Sequence, residues 1–283
     1  MLRIVTDGAA DLPTGWEETY QIDVLPLHVI FGEEVYTQGP GFTRADFYRM
    51  VREKRIVPKT SLPSIGQVKE FYTSIAEKGD TILSIHISSK LSGTFATVES
   101  AARELANDFN IHVFDSAAGS VAQAFLVREA RLMQQAGAAL PEILRRLEWI
   151  CQRWVLIFTL DTLEYARLSG RINALQSLLA YALKVKPIIV LKDGLLDIVE
   201  RVRTRQRSLD RVIEIIHERL GSRLANLVVV HANDPQTAQT MLEKLKNQMK
   251  VKETCVAELA IPIAVHLGPG AIGVVAYPLE ETH

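Results

Sequence analysis

The chain has 283 residues, with 32 Lys and Arg against 33 Asp and Glu, a formal net charge of -1 and 48% hydrophobic residues. The balanced charge excludes a basic protein that binds nucleic acid mainly through its phosphates, and 23% charged residues is typical of a globular chain rather than a disordered one. At roughly 100–200 residues per domain, the length predicts one large or two ordinary domains.

No stretch approaches the ~18 uninterrupted apolar residues of a membrane span. Asp7 falls where a secretory signal peptide would need its apolar segment. We therefore expect a cytoplasmic protein without stable membrane insertion. The two cysteines, Cys151 and Cys255, are far apart and lack metal-ligand spacing, so neither a disulfide framework nor a thiolate metal site is expected.

Strand-like and helical segments alternate in the first half of the chain. The β-rich runs cover residues 2–6, 81–87 and 111–114. Between the first two of these runs, one helix is predicted to begin at Thr43 with Asp46, and another at Ser64 with Gln67, which form a capping box. The alternation predicts an N-terminal domain over 1–153 that is built in three layers, a parallel sheet with helices on both faces.

Two hairpins are predicted from their turns. A β-rich run over 22–31, followed by Gly32-Glu33, indicates a small hairpin insertion near 22–38. Farther along the chain, Asp193-Gly194 joins two strand-like runs with the strongest short hairpin signal.

The second half of the chain mixes strands and helices in another order. Helices are predicted up to Gly170, over 172–183 and, with Ser208 as the N-cap, up to Gly221. Together with the hairpin, they indicate a smaller C-terminal α/β sandwich with a mixed sheet over 154–283. Since ligand pockets concentrate between domains, we expect a ligand in the cleft between these two.

Two segments are rich in hydroxyl groups. Thr60-Ser61-Leu62-Pro63-Ser64 precedes one helix, and residues 87–94, ISSKLSGT, lie between a strand and the next helix. Helix N-termini at such loops suit an anionic head group, because backbone N–H groups and the positive end of the helix dipole meet there. The ordinary alternative is that these hydroxyls only cap helices.

A glycine-rich run, His266 to Gly273, contains the pattern G-x-G-x-x-G. A dinucleotide site needs this pattern to open a helix, whereas here it leads into a strand-like run and only ten residues follow it. We expect a tight turn that lets the backbone approach a ligand or a neighbouring segment. His266, at its start, is a candidate ligand or a structural histidine.

Arginine occupies every second position at 201, 203, 205 and 207. On a continuing strand all four would project from one face. Such a face is either a solvated edge that resists aggregation or a docking surface for an acidic partner or an anionic head group.

Catalysis by this chain alone is not expected. There is no G-x-S-x-G sequence, which predicts that neither Ser92 nor Ser120 occupies the strained strand-to-helix turn of serine hydrolases. No phosphate-binding loop of the G-x-x-x-x-G-K type is present either. Two alternatives stay open: an esterase or acyltransferase with Ser92 as nucleophile, and a binder of another small anionic metabolite.

Six segments, in this order along the chain, resemble the bacterial DegV family of fatty-acid-binding proteins. They are TSLPS (60–64), ISSKLSGTF (87–95), VFDS (113–116), LEYARLSGRI (163–172), KPII (186–189) and HLGPGAIG (266–273). The resemblance implies a non-catalytic protein of two α/β domains that holds one long-chain fatty acid, of the palmitate, stearate or oleate type, and no other cofactor. It also implies a separate ATP-dependent fatty acid kinase subunit that phosphorylates the bound acid for phospholipid synthesis. We expect a monomer or a weak dimer.

The resemblance also assigns roles to residues of this sequence. The carboxylate ligands would be Thr60, Ser61, Ser92, Gly93 and His266. Residues lining the pocket or forming its turn would be Ser64, Thr94, Gly268 and Gly270. Residues at the mouth, for partner docking, would be Arg171, Arg201 and Arg203. Two departures from the family pattern are Leu62, where Gln is common, and Gly8, where Ser is usual.

Overall fold

The computed structural model describes residues 1–39, 41–171 and 185–279. The chain is a two-domain α/β protein, as the sequence predicts, and divides into two compact units. The first unit comprises Met1–Cys151 and Ala260–Pro262, and the second comprises Gln152–Leu259 and Ile263–His283. The domain boundary between 153 and 154 stays a prediction, and the helix predicted over 172–183 lies outside the described residues.

The first unit contains a parallel sheet and a small antiparallel one. Its strands are β1 (Leu2–Asp7), β2 (Asp23–Leu25), β3 (His28–Phe31), β4 (Glu34–Thr37), β5 (Lys59–Ser61), β6 (Thr81–His86) and β7 (Asn110–Asp115). Its helices are α1 (Trp16–Thr19), α2 (Arg44–Lys54), α3 (Ile65–Ile75), α4 (Thr94–Glu104), α5 (Ser120–Gln135) and α6 (Leu140–Cys151). The parallel sheet has the order β2-β1-β6-β7, and the antiparallel one the order β4-β3-β5.

Helices cover both faces of the parallel sheet, which confirms the three-layer prediction. Because side chains alternate along a strand, neighbouring residues of β1 face opposite layers. Val5 belongs to a buried cluster with Val68 of α3 and Ile82 of β6. Thr6, on the other face, accepts a hydrogen bond from Gln123 Nε2 of α5 at 2.8 Å.

The hairpin insertion is smaller than predicted. The run over 22–31 is not one strand, because Pro26 separates β2, which joins the parallel sheet, from β3, which starts the hairpin. Proline has no N–H group to continue a ladder. The hairpin spans His28–Thr37, and β5 adds a third strand on the other side of β3.

The second unit is built on a mixed sheet with the order β10-β9-β8-β13-β11-β12. Its strands are β8 (Val155–Thr159), β9 (Lys186–Lys192), β10 (Leu195–Val202), β11 (Ala225–His231), β12 (Val251–Glu258) and β13 (Ile272–Pro278). Its described helices are α7 (Glu164–Ser169), α8 (Arg205–Leu220), α9 (Pro235–Gln248) and most of α10 (Ile261–Leu267). Helices α8 and α9 share one apolar core with the sheet. No helix in the described ranges is long and apolar enough to cross a membrane.

The predicted hairpin at Asp193-Gly194 is confirmed. Both residues have positive φ, 50° at Asp193 and 78° at Gly194, as the turn of a tight two-residue hairpin requires.

Two predictions near the start of α8 are wrong. Thr204, not Ser208, is the N-cap, since its side chain accepts the N–H of Arg207 at 3.2 Å. Ser208 lies in the first turn and donates to the carbonyl of Arg205 at 2.7 Å. The alternation of arginines continues beyond Thr204, although the helix already begins there.

The stripe of four arginines therefore does not exist as one face. Strand β10 ends at Val202, so Arg205 and Arg207 belong to α8. Arg205 Nη2 lies 3.4 Å from Asp234 Oδ2, and Arg207 Nη1 lies 2.5 Å from Glu214 Oε1.

Helix α10 was not predicted, and it places His266 on a helix rather than at the start of a turn. The run IPIAVHL is short and nearly all apolar, so it carries no helical periodicity. Its beginning belongs to the first unit, where Asp11 Oδ1 accepts the N–H of Ala260 at 2.6 Å and Gln38 Oε1 accepts the N–H of Ile261 at 2.7 Å. These side chains satisfy N–H groups that the helix itself leaves unpaired.

Asp11 is a fully buried carboxyl group of the first unit. It accepts hydrogen bonds from the Ser120 hydroxyl and from Ala260, with Arg44 as a more distant positive charge. Burial outweighs all three and raises the pKa of Asp11 from 3.8 to about 7. The folded protein therefore holds this proton more tightly than the unfolded chain does.

The raised pKa predicts how stability depends on pH. Between 3.8 and about 7 the unfolded chain loses the Asp11 proton before the folded protein does, so the free energy of unfolding falls as pH rises. Asp11→Asn removes the charge and should remove this fall. Urea titrations at about pH 4 and about pH 8 measure the free energy of unfolding of both proteins. Relative to the wild type, we expect the free energy of unfolding of the variant to be higher at pH 8 than at pH 4 by a few kcal/mol. Parallel pH dependence of both proteins would contradict the assignment.

Candidate functional site

The two hydroxyl-rich segments of the first unit touch each other. Their contact point is Gly93, at the N-terminus of α4, against Leu62 between β5 and α3. A Cβ atom at Gly93 would lie 2.8 Å from Cδ1 of Leu62, closer than real Cβ contacts come, so glycine at this position permits the approach. The fold thus brings the segment 60–64 to the segment 87–94.

The segment 87–94 is held by its own backbone and by Ala118. The N–H of Ser88 donates to the carbonyl of Ala118 at 2.6 Å, and the N–H of Ser92 donates to the carbonyl of Ser88 at 3.1 Å. Ser92 Oγ accepts the N–H of Thr94 at 3.2 Å and lies 2.9 Å from Thr94 Oγ1. Thr94 is buried and Ser92 is half-buried, so Ser92 is the hydroxyl of this pair with access to a ligand.

The hydroxyls of the segment 60–64 differ in their surroundings. Thr60 and Ser61 end β5 and are half-buried, with Thr60 opposite Val29 in the small sheet. Ser64 forms the predicted capping box with Gln67: its Oγ accepts the Gln67 N–H at 3.2 Å, and Gln67 Oε1 accepts the Ser64 N–H at 2.8 Å. For Ser64 the structure shows the ordinary capping role.

In the part of the chain that the structure describes, neither Ser92 nor Ser120 is hydrogen-bonded to a histidine. Within the described residues, the Ser92 hydroxyl makes hydrogen bonds to Thr94 alone. The expectation for Ser120 was wrong, because it does occupy a strained strand-to-helix turn, with φ of 59° at the start of α5. Its hydroxyl, however, donates to buried Asp11 rather than to an imidazole.

Sequence reasoning missed a buried chain of four polar side chains. Asp7 Oδ2 lies 2.9 Å from His86 Nδ1, His86 Nε2 lies 2.7 Å from Ser84 Oγ, and Ser84 Oγ lies 2.7 Å from Tyr72 Oη. All four side chains are fully buried, so Ser84 cannot meet a substrate despite its Asp–His–Ser arrangement. The available signal was the alternation of Ser84 and His86 in TILSIHI, which predicts that both lie on one face of the strand. Only the structure shows that Tyr72 of α3 lies against this face.

His266 belongs to the second unit and is mostly buried. Burial, with a smaller contribution from the positive charge of Arg171, lowers the pKa of His266 from 6.5 to about 4. At neutral pH the imidazole is therefore uncharged, with one nitrogen as a donor and the other as an acceptor.

The glycine turn after His266 packs against Tyr165 and Asp161 of the second unit. Gly268 and Gly270 have φ of 75° and 79°, and the run leads into β13. A Cβ at Gly268 would lie 2.4 Å from the Tyr165 ring, and one at Gly270 would lie 2.8 Å from Asp161 Cβ. Asp161 in turn pairs with Lys186, with Nζ 2.6 Å from Oδ1. Asp161 therefore contacts both the glycine turn and the first residue of KPII.

The predicted mouth arginines differ in position. Arg201 lies on β10 opposite Pro187 of β9, and Arg203 lies in the bend before α8; both are exposed. Arg171 is exposed and acts on the pKa of His266, so the two side chains are within electrostatic reach.

The close packing at Gly268 predicts a large effect of Gly268→Ala. The new methyl group would meet the Tyr165 ring in a backbone conformation that alanine disfavours, and we expect a loss of roughly 2–4 kcal/mol in the free energy of unfolding. Gly137→Ala is the matched control, since Gly137 has φ of 86° and nothing within 4 Å of its Cβ position. Urea titrations of both variants measure the difference. Equal losses would mean that only the backbone conformation matters at Gly268.

Comparison with known proteins identifies the family. A profile described as "Uncharacterised protein, DegV family" matches residues 1–279. The chain belongs to the DegV family. Protein DegV from Bacillus subtilis is 31% identical over 275 residues, which cover 96% of this chain and 98% of that protein. The resemblance found in the sequence motifs is therefore confirmed.

Solved structures of DegV proteins have the same fold. A DegV family protein from Thermus thermophilus, described as fatty acid binding, superposes with a TM-score of 0.91 at 30% identity, covering 98% of this chain and 99% of that one. A stearic acid-binding protein from Eubacterium ventriosum superposes with a TM-score of 0.90 at 28% identity, covering 98% of both chains.

Proposed function

We propose that this DegV protein binds one long-chain fatty acid and holds its carboxylate with the hydroxyls of Thr60 and Ser92. The observation that carries the proposal is the contact between the segments 60–64 and 87–94 at the N-terminus of α4. Relatives of the same fold are described as binding fatty acids, including stearic acid.

The hydrogen bonds at Ser92 support a donor role. Ser92 Oγ accepts the N–H of Thr94, and the Thr94 hydroxyl can donate to the same oxygen. When Thr94 donates, both lone pairs of Ser92 Oγ are used and its hydrogen is available to donate to a ligand. A hydroxyl that donates to a carboxylate forms a charge-assisted bond, and the positive end of the α4 dipole favours the same charge.

The remaining predicted ligands complete the proposal. Ser61 and the backbone of Gly93 flank the two donors. His266 is the proposed third ligand, on the strength of the family resemblance, and its uncharged imidazole would donate one N–H group. The saturated tail contributes about 0.8 kcal/mol for each CH₂ group removed from water, so affinity requires no covalent chemistry.

Removing either hydroxyl should weaken binding. We expect Thr60→Ala and Ser92→Ala each to cost roughly 1.5–3 kcal/mol, about a 10- to 150-fold loss of oleate affinity. Native mass spectrometry of the purified protein detects a co-purified acid, and titration with oleate gives the affinity. Ser100→Ala is the control, because this α4 hydroxyl donates to the carbonyl of Ala96 within its own helix.

Three outcomes would contradict the proposal. No fatty acid in the purified protein together with no uptake of oleate would exclude the ligand. Unchanged affinity in both Thr60→Ala and Ser92→Ala would mean that other residues bind the carboxylate. Labelling by a fluorophosphonate probe that disappears in Ser92→Ala would instead show a serine esterase or acyltransferase.

The second part of the proposal concerns a partner. The bound acid is presented to a separate ATP-dependent kinase subunit that forms the acyl phosphate for phospholipid synthesis. Supporting this role, the sequence has no phosphate-binding loop of its own, and the exposed side chains of Arg201 and Arg203 offer positive charge to an acidic partner surface.

Reversing one of these charges tests the partner role. We expect Arg203→Glu to leave oleate affinity unchanged and to lower the rate of acyl phosphate formation by roughly tenfold, because a reversed charge repels the partner. Lys252→Glu is the control, with the same change of charge at an exposed position of β12. Loss of oleate binding in Arg203→Glu would make this arginine a ligand, and equal effects of both variants would exclude a specific docking role.

A further inference from the structure

We propose that Asp7 and His86 are positioning residues that set the two hydroxyl segments of the carboxylate site relative to each other. The inference rests on the proposed function and names residues to which neither the sequence motifs nor the family resemblance assigns a role. The observation behind it is the buried chain from Asp7 through His86 and Ser84 to Tyr72.

At one end of this hydrogen-bond network, Asp7 fixes the start of the segment that carries Ser92. Asp7 Oδ2 accepts the N–H of Ile87 at 3.0 Å, and Ile87 is the first residue after β6. The other oxygen, Oδ1, accepts the N–H of Ala9 at 2.9 Å. The carboxylate of Asp7 therefore holds the last residue of the apolar run just before the backbone turns toward Ser92.

At the other end of the network, Tyr72 fixes the helix that follows Thr60. Tyr72 lies on α3, which begins directly after Ser64, and its hydroxyl meets Ser84 of β6. Burial raises the pKa of Tyr72, so its hydroxyl keeps the hydrogen that this contact needs. Side chains thus connect α3 to β6, the two elements that flank the hydroxyl segments.

His86 joins the two ends. A carboxylate oxygen only accepts, so the hydrogen between Asp7 and His86 is on Nδ1, and Nε2 faces Ser84. No side chain of the four touches solvent. A buried network with every member paired has one low-energy arrangement, because any shift leaves an unpaired polar atom away from water. Displacement of β6 relative to α3 would therefore break the network.

A double-mutant cycle distinguishes positioning from a general effect on stability. We expect Asp7→Asn to lower oleate affinity by roughly tenfold in the wild type and by less than about twofold in Ser92→Ala, because the Asp7 effect acts through Ser92. Thr6→Val is the matched control. It removes two buried hydrogen bonds on the opposite face of β1, one donated to Ile85 and one accepted from Gln123, and should lower the urea midpoint without changing oleate affinity.

A second cycle covers the case in which Asp7→Asn does not fold. Tyr72→Phe keeps the ring and removes only the hydroxyl, and its loss of oleate affinity should largely disappear in Thr60→Ala. Equal fold-losses in both backgrounds, or full affinity in Asp7→Asn and Tyr72→Phe, would overturn the positioning role. Wild-type protein that binds no oleate would instead overturn the proposed function, so the two failures are distinguishable.

Discussion

A carboxylate placed wholly inside the protein is the constraint on which the first unit depends. Removing an ionised carboxylate from water is costly unless its oxygens are paired. Asp7 meets this requirement at the end of β1 with two backbone N–H groups and the imidazole of His86. Those partners lie on the loop after β1 and at the end of β6. Pairing the Asp7 carboxylate therefore also fixes the end of β6, where the segment 87–94 begins.

In the second unit, the main constraint is close packing around a glycine turn rather than the pairing of a buried charge. Gly268 and Gly270 permit a backbone conformation with positive φ and leave room for Tyr165 and Asp161. The segment from Asp161 to Tyr165 packs on this turn, and Asp161 also pairs with Lys186. These contacts give the glycine run a packing role, in place of the phosphate-binding role that its spacing alone resembles.

These arrangements bear on what the protein does. The chain contains Ser92 at a helix N-terminus without a base, Ser120 in a strained turn beside a carboxyl group, and Ser84 in a buried series with His86 and Asp7. Each lacks one part of a hydrolytic site: among the described residues, no histidine is hydrogen-bonded to Ser92 or Ser120, and Ser84 is fully buried. The proposed binding of a carboxylate needs only the half-buried hydroxyls of Thr60 and Ser92.

The sequence by itself determined the family, the α/β class and most helices and strands, because these depend on local features. Capping boxes such as Thr43 with Asp46, the Asp193-Gly194 turn and alternating hydrophobicity act within a few residues. Even local signals failed where one competes with another, as at Thr204, whose cap ends the arginine alternation.

Only the tertiary structure decided which polar groups are buried together. Asp7 and His86 are 79 positions apart in the sequence, and Asp11 and Ser120 are 109 apart. No local pattern links such pairs, because the cost of an unpaired buried group arises only when the strands and helices pack. The same packing brought Leu62 to Gly93 and so joined two hydroxyl segments that the sequence shows only as separate helix starts.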